Sequence, residues 1–148
     1  MSKFVILLLS FPFLSAACTV TPSLRADKTV QIKDATVNVQ VAETSSDRMN
    51  GLSGIKTIAP NEGMLFLFPE PGRYQFWMKD MNFAIDIIWI RDNKIVDLSE
   101  SVPTEPGKID VELKLYEPRV DADSVLEVGS GWCAQNNIAL GDQIKVQP

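Results

Sequence analysis

The chain has 148 residues, of which 45% are hydrophobic and 22% are charged, and its formal net charge is −5 at pH 7. This length fits a single domain that is large enough to bury a core of its own. The acidic balance and the scattered basic residues argue against binding to nucleic acid or to an anionic membrane surface. The chain contains no histidine, which excludes Ser-His-Asp and Cys-His catalysis and the usual zinc sites.

Residues 1–17 have the pattern of a secretory signal peptide. Lys3 precedes an apolar run that ends at Leu14, and the small residues Ser15-Ala16-Ala17 lie directly before Cys18. A cysteine at this position is the acylation site of bacterial lipoproteins, so we expect a lipid anchor on Cys18 and no other membrane attachment. Ordinary signal-peptidase cleavage is the alternative. In both cases we expect an exported protein, in the periplasm or at the cell surface.

Residues 18–28 are predicted to be a tether, and residues 29–148 a single domain. The tether contains Pro22 and shows no periodicity. From Thr29 onward, apolar and polar residues alternate on both sides of a Lys33-Asp34 turn. This alternation predicts a β-hairpin with one apolar face.

A short helix and a series of short strands are predicted for the rest of the chain. Thr44, with Asp47 three positions later, marks the start of a helix that ends at Gly51. Turns rich in Pro, Gly, Asn and Asp separate the strand-like runs that follow. These runs are Met64–Phe68, Tyr74–Met78, Ile85–Ile90, Ile95–Ser99, Ile109–Tyr116, Ser124–Val128 and Gln143–Val146. The pattern indicates an all-β domain, a sandwich or barrel with one or two short helices.

Several blocks of residues occur in the order and approximate spacing of a widespread prokaryotic family. The blocks are Arg48 with Gly51-Leu52, Gly63-Met64-Leu65-Phe66, Phe76-Trp77-Met78-Lys79, Ile85-Asp86-Ile87-Ile88, Val125-Leu126-Glu127 and Gly141-Asp142. Over about residues 30–146 the chain therefore resembles domain-of-unknown-function family 192, also called uncharacterised protein family 0127. The resemblance implies a compact jelly-roll β-sandwich and no settled activity. The chain departs from the usual pattern at Ser53, Asp80-Met81 and Ala84.

The two cysteines are expected to have different fates. An acylated Cys18 leaves Cys133 as a lone thiol, whereas an unmodified Cys18 could pair with it across a long loop. We favour the lone thiol. Cys133 lies beside Trp132 and Ala134, and such a cysteine is more often a small buried hydrophobe than a nucleophile.

Trp77 and Lys79 are candidate binding residues, together with Arg48. In an extended strand, Tyr74 and its alternate neighbours face one side, while Trp77 and Lys79 face the other. An aromatic ring beside an ammonium group suits stacking on a sugar ring or gripping an anionic group. The alternative is that Trp77 simply packs against a neighbouring loop.

Asp86 and Glu127 complete the set of candidate binding residues. Each carboxylate interrupts an apolar run, and burying it is costly unless it is paired. For Asp86 we favour a buried structural tie to Lys79, to Arg48 or to backbone amides. If Asp86 instead lines a pocket with Glu127, the two groups could divide acid and base roles between them.

Three classes of function follow from these residues. We favour a non-catalytic envelope module that binds a small polar ligand, a glycan or a partner protein, without a cofactor. The first alternative is a hydrolase or lyase that uses Asp86 and Glu127. The second is Cu(I) binding by thioethers, and its candidate ligands are Met64, Met78 and Met81.

Overall fold

The computed structural model describes residues 24–148. The predicted signal peptide 1–17, the lipidation site Cys18 and the first part of the tether lie outside the described residues. The strands are β1 (Lys28–Ile32), β2 (Ala35–Ala42), β3 (Glu62–Gly72), β4 (Ile85–Arg91), β5 (Lys94–Val102), β6 (Ala122–Gly129) and β7 (Ile144–Gln147). Two short helices, α1 (Ser45–Asn50) and α2 (Trp132–Gln135), and one 3-10 turn (Asp110–Glu112) complete the described elements. Within residues 24–148, no helix is long and apolar enough to cross a membrane.

The seven strands form one sheet in the order β5-β4-β6-β3-β2-β1-β7. All neighbouring strands are antiparallel except β2 and β3, which are parallel. The sheet curls into a half-barrel, and its two edges meet where Lys94 bridges Gln143. Backbone hydrogen bonds of 2.9 Å from Ile95 to Asp142 and from Ile144 to Asn93 extend this contact. The predicted all-β fold with short helices is confirmed.

An interior cluster fills the concave side of the sheet. Its members are buried, apolar and drawn from all seven strands and α2. They include Val30, Val37, Leu65, Ile88, Ile95, Leu126, Cys133 and Ile144. Cys133 is fully buried in this cluster, as its apolar neighbours predicted. Burial raises the pKa of its thiol, and the nearby Asp86 raises it further.

An outer cluster covers the opposite face of the central strands. It is formed by buried apolar residues of the sheet and of the loops that pass over it: Leu24, Ala42, Leu52, Met64, Phe66, Met78, Ile85, Ile87, Trp89, Val102, Ala122 and Val125. Strands β3, β4 and β6 therefore contribute side chains to both clusters. Their near-continuous apolar sequences follow from this double coverage.

The parallel pairing of β2 and β3 requires a long connection, because parallel neighbours cannot be joined by a tight turn. Residues 43–61 form that connection and contain α1. The Thr44 hydroxyl oxygen caps the helix by accepting a 3.1 Å bond from the Asp47 amide, and the helix ends before Gly51, where φ is +50°. The predicted hairpin and helix are both confirmed.

Two predicted strands are wrong. Tyr74–Met78 and Ile109–Tyr116 meet only in a single bridge between Phe76 and Tyr116, and the second run contains the 3-10 turn. Tyr74–Met78 still alternates as predicted, with Phe76 and Met78 turned toward the outer cluster. These runs cross the outer face of the sheet instead of joining its ladder.

The folded part of the chain begins before residue 29. Leu24 is buried in the outer cluster. The Asp27 amide donates a 2.8 Å hydrogen bond to the carbonyl of Val39, and the Asp27 carboxylate accepts one from the amide of Val41. The last residues of the predicted tether are thus held against β2.

Strands β3 and β6 leave no room for a side chain at Gly63. A Cβ at this position would lie 2.4 Å from the carbonyl oxygen of Glu127. That separation is far below van der Waals contact, so the approach requires glycine.

Candidate functional site

A cavity of about 270 Å³ opens over the outer face of the sheet. We call it the aromatic pocket. It is enclosed by the 43–61 connection, by the end of β3 with the extended segment that follows, and by one residue of β6. Its lining residues are Ser45, Arg48, Met49, Asn50, Gly51, Leu52, Ser53, Phe66, Phe68, Tyr74, Gln75, Phe76, Trp77, Met81 and Glu127.

The first wall of the aromatic pocket is α1 and the turn after it. Arg48 fixes this wall to the sheet, because its guanidinium donates to the backbone carbonyls of Glu43 and, at 2.9 Å, of Leu67. The same group lies 5.3 Å from the centre of the Phe68 ring, a cation–π distance. Leu52 is buried and anchors the turn in the outer cluster.

The second wall is a group of packed aromatic rings. Phe68 stacks on Tyr74 with 3.6 Å between ring centres, and Phe76 packs edge-on against Phe66 at 4.9 Å. The Tyr74 hydroxyl donates to the carbonyl of Glu70 at 2.5 Å. Trp77 lies at the mouth and is 36% exposed. Stacked and edge-to-face contacts of this kind fix the rings relative to one another.

Hydrogen bonds tie the two walls together. The Ser53 hydroxyl donates to the carbonyl of Lys79 at 2.7 Å. One residue further on, the Gly54 amide donates to the carbonyl of Asp80 at 2.9 Å. The α1 turn and the segment after Trp77 are therefore held at a defined separation, which pre-forms the pocket.

Glu127 lies at the base of the aromatic pocket. Its side chain projects from β6 on the outer face, and its direct neighbours on β3 and β4 are Met64 and Ile87. The residue is only 5% exposed. Burial away from water raises the pKa of Glu127 from 4.5 to about 8, because desolvation disfavours the charged form. Its carboxyl is therefore mostly protonated at neutral pH.

The structure brings Arg48, Trp77 and Glu127 to one pocket, as three of the five candidate binding residues. Lys79 lies beside it, with its ammonium nitrogen 5.6 Å from the centre of the Trp77 ring. Lys79 lines a smaller neighbouring cavity of about 90 Å³. There it forms a 2.5 Å ion pair with Asp110, which raises the pKa of Lys79. Trp77 and Lys79 are thus adjacent, as predicted, but their side chains line different cavities.

Asp86 lies on the opposite face of the sheet from Glu127, so the alternative in which the two carboxylates share a pocket as acid and base is wrong. The Asp86 side chain points into the barrel and is fully buried. Its carboxylate accepts backbone amide bonds from Ser101 at 2.8 Å, from Gly131 at 3.2 Å and from Cys133 at 2.9 Å. Backbone amides are therefore its partners, and it ties the end of β5 to the turn that begins α2.

The three methionines considered as copper ligands belong to the outer cluster. Met64 and Met78 are buried in it, and Met81 packs against it and lines the aromatic pocket. Among residues 24–148, no group of three or more His, Cys, Asp or Glu side chains could hold a metal ion.

Most of the aromatic lining was not among the candidate residues. The sequence predicts a strand over Met64–Phe68 and places Tyr74 and Phe76 on one strand face. Neither pattern distinguishes a ring packed in a core from one that also faces a cavity. The available signal was the density of aromatic residues between positions 66 and 77. Nothing in the sequence indicates that Arg48 and Glu127 lie beside these rings.

A family model described as DUF192, "Uncharacterized ACR", matches residues 28–146. This match covers more than half of the chain. The chain belongs to the DUF192 family. The family-model match confirms the resemblance carried by the Phe-Trp-Met-Lys block. The matched residues include every residue of the aromatic pocket. No curated protein matches the chain.

Two solved structures are similar to this DUF192 domain. One, from Sinorhizobium meliloti 1021, is described as a "putative transcription regulator"; it is 24% identical, has a TM-score of 0.71, and the match covers 83% of this chain and 96% of that one. The other, a protein of unknown function from Novosphingobium aromaticivorans DSM 12444, is 22% identical with a TM-score of 0.71, and the match covers 86% and 94%. At these identities the similarity establishes the fold alone.

We predict that Asp86→Asn destabilises the protein. The amide of asparagine retains one accepting oxygen but turns a donor toward the backbone amides that the carboxylate now accepts from. We expect the free energy of unfolding to fall by about 2–4 kcal/mol, measured by urea denaturation. Asp121→Asn, at an exposed position, is the control. Equal stability of the two variants would contradict the buried tie.

We predict that the free energy of unfolding decreases as the pH rises from about 4.5 to about 8, because the folded protein keeps a proton on Glu127 that the unfolded chain releases. The stabilisation is complete below the unfolded pKa and is lost as the pH passes the folded one. Glu127→Gln should remove roughly 1.4 kcal/mol of this dependence per pH unit.

The measurement is urea denaturation of both proteins at several pH values in this window. Glu43→Gln, which changes an exposed glutamate, should leave the pH dependence of the wild type intact. Parallel curves for wild type and Glu127→Gln would show that Glu127 is not a neutral buried acid.

Proposed function

We propose that this DUF192 domain is a binding module for a small, largely apolar molecule that enters the aromatic pocket. The observation that carries the proposal is the position of Glu127, a buried carboxyl at the base of a cavity with aromatic walls. Ligand sites are typically apolar concavities with a few placed polar groups. The volume of about 270 Å³ is near the lower end of that class and suits a compact ligand.

A small molecule fits the pocket better than the other partners expected from the sequence. A glycan needs many free polar groups, but those of the lining are largely engaged with the protein itself. Arg48 and Tyr74 donate to backbone carbonyls, and so does Ser53. Among the aromatic residues that line the pocket, Trp77 alone is exposed, as a residue that stacks on a sugar would have to be.

Binding also requires less of the site than catalysis does. A hydrolase or lyase needs a second group to share proton transfer or to activate water. Asp86 cannot fill that role from the opposite face of the sheet, and the other ionisable lining residues are Arg48 and Tyr74. A single neutral carboxyl between aromatic rings is sufficient for recognition.

We further propose that the protein is exported and lipid-anchored through Cys18. The support is the signal-like sequence that ends at Cys18, together with the packing of Leu24 in the outer cluster. Six residues of extended chain span at most about 20 Å. A lipid on Cys18 would therefore hold the domain close to the membrane surface.

We predict that a compound binding in the aromatic pocket changes the fluorescence of Trp77 and raises the melting temperature. Of the three tryptophans, Trp89 and Trp132 are buried and Trp77 is at the pocket mouth. The measurement is a thermal-shift and fluorescence screen of aromatic compounds that carry neutral, acidic or basic groups. A ligand at a hundredfold excess over its dissociation constant adds about 2.7 kcal/mol of stability.

Two variants locate the site of any compound found. Trp77→Ala should weaken its binding at least tenfold, whereas Leu115→Ala, an exposed apolar residue outside the pocket, should leave it unchanged. Binding that survives Trp77→Ala, or a screen without hits, would overturn the proposed small-molecule site.

We predict that Cys18→Ala moves the protein from the membrane fraction to the soluble fraction of the cell envelope. In bacteria fed an alkyne-tagged palmitate, the wild-type protein should take up the tag and Cys18→Ala should not. Cys133→Ala is the matched control and should behave as the wild type. An untagged wild-type protein in the soluble fraction would indicate plain secretion instead.

A further inference from the structure

Glu127 is a buried acid between apolar neighbours of the sheet. Among the described residues, no ion pair or hydrogen bond joins its carboxyl to another side chain, and its neighbours on β3 and β4 are the apolar Met64 and Ile87. The carboxyl nevertheless reaches the aromatic pocket. A carboxylate in such a place is strongly stabilised by a cation that arrives from the cavity, because water does not screen the interaction.

The walls of the aromatic pocket also favour a cation. The faces of aromatic rings carry negative electrostatic potential and attract ammonium and guanidinium groups within about 6 Å. Two cations of the protein already use rings of this wall, since Arg48 lies 5.3 Å from the Phe68 centre and Lys79 lies 5.6 Å from the Trp77 centre. Phe66 and Phe76 extend the same wall toward Glu127.

Arg48 is the group that would instead attract an anion. Its guanidinium is committed to the carbonyls of Glu43 and Leu67 and to the Phe68 ring. An anion between Arg48 and the base of the pocket would face ring surfaces and, once ionised, Glu127. A cation would meet ring surfaces and the Glu127 carboxylate, and the carbonyls and the ring that hold the Arg48 guanidinium reduce its repulsion. The lining therefore favours a positively charged ligand.

We propose that the ligand of the aromatic pocket is an organic ammonium compound, whose positive group lies among the aromatic rings and pairs with the carboxylate of Glu127. This inference rests on the proposed small-molecule site and names the chemistry of its ligand. A compound with a compact apolar body and a substituted ammonium group, and without a negative charge, fits the lining.

Binding of such a cation is coupled to loss of the Glu127 proton. The charged and titratable side chains that line the pocket with Glu127 are Arg48 and Tyr74; the Tyr74 hydroxyl is engaged with the Glu70 carbonyl. With the pKa of Glu127 at about 8, roughly a tenth of the free protein is ionised there at pH 7, and most of it at pH 9. Affinity for a permanently charged cation should therefore rise about tenfold between these pH values.

The test uses three aromatic probes of similar size: benzyltrimethylammonium, benzyl alcohol and phenylacetate. Binding to the whole protein is measured by calorimetry at pH 7 and pH 9. Benzyltrimethylammonium should bind most tightly, with the tenfold pH effect, and at pH 7 it should release nearly one proton, seen by comparing buffers of different ionisation enthalpy. This readout needs no variant.

Glu127→Gln should weaken benzyltrimethylammonium binding at least tenfold at pH 9 and abolish proton release, whereas Glu43→Gln should change neither. Tighter binding of phenylacetate, or ammonium binding that Glu127→Gln leaves intact, would overturn the proposal while the small-molecule site stands. If benzyltrimethylammonium does not bind but other compounds of the thermal-shift screen do, the ammonium proposal is likewise overturned and the small-molecule site stands. Failure of every compound would overturn both proposals.

Discussion

Strands β3, β4 and β6 are buried on both faces, and this double coverage determines what their polar side chains can do. A carboxylate on such a strand must find hydrogen-bond donors or give up its charge. Asp86 takes the first course inside the barrel, where three backbone amides hold it. Glu127 takes the second on the outer face, where apolar neighbours raise its pKa to about 8. Two similar residues therefore have opposite roles: one stabilises the fold, and the other remains available at a cavity.

The aromatic pocket follows from the topology of the sheet. The parallel pairing of β2 with β3 sends residues 43–61 around the outside of the barrel, and the Tyr74–Met78 segment crosses the same face. Where these two connections pass each other, hydrogen bonds from Ser53 and Gly54 to the carbonyls of residues 79 and 80 hold them at a fixed separation. The lining thus consists of connections placed over a rigid sheet, a usual position for binding residues.

Local features were well predicted from the sequence, and features set by pairing were not. The β1–β2 hairpin and α1 follow from short-range alternation and from the Thr44 cap, and β4 and β6 follow from continuous apolar runs. Tyr74–Met78 has the alternation of a strand but no ladder, because ladder partners are a tertiary property. Likewise, Arg48, Trp77 and Glu127 were candidates by residue type, and so was the buried tie of Asp86. The alternative that placed Asp86 and Glu127 in one pocket is excluded by the register of β4 and β6. A shift of one residue between β4 and β6 would place both carboxylates on the same face, and no local signal fixes that shift.

The close approach at Gly63 links the barrel to the pocket. Any side chain there would push against the carbonyl of Glu127 and drive β6 away from β3 at the residue that forms the base of the cavity. Beneath the cavity, the two strands therefore leave room for a bare peptide backbone and for nothing larger. A methyl group at position 63 would displace the backbone that carries Glu127, so the cavity would change shape although position 63 does not line it.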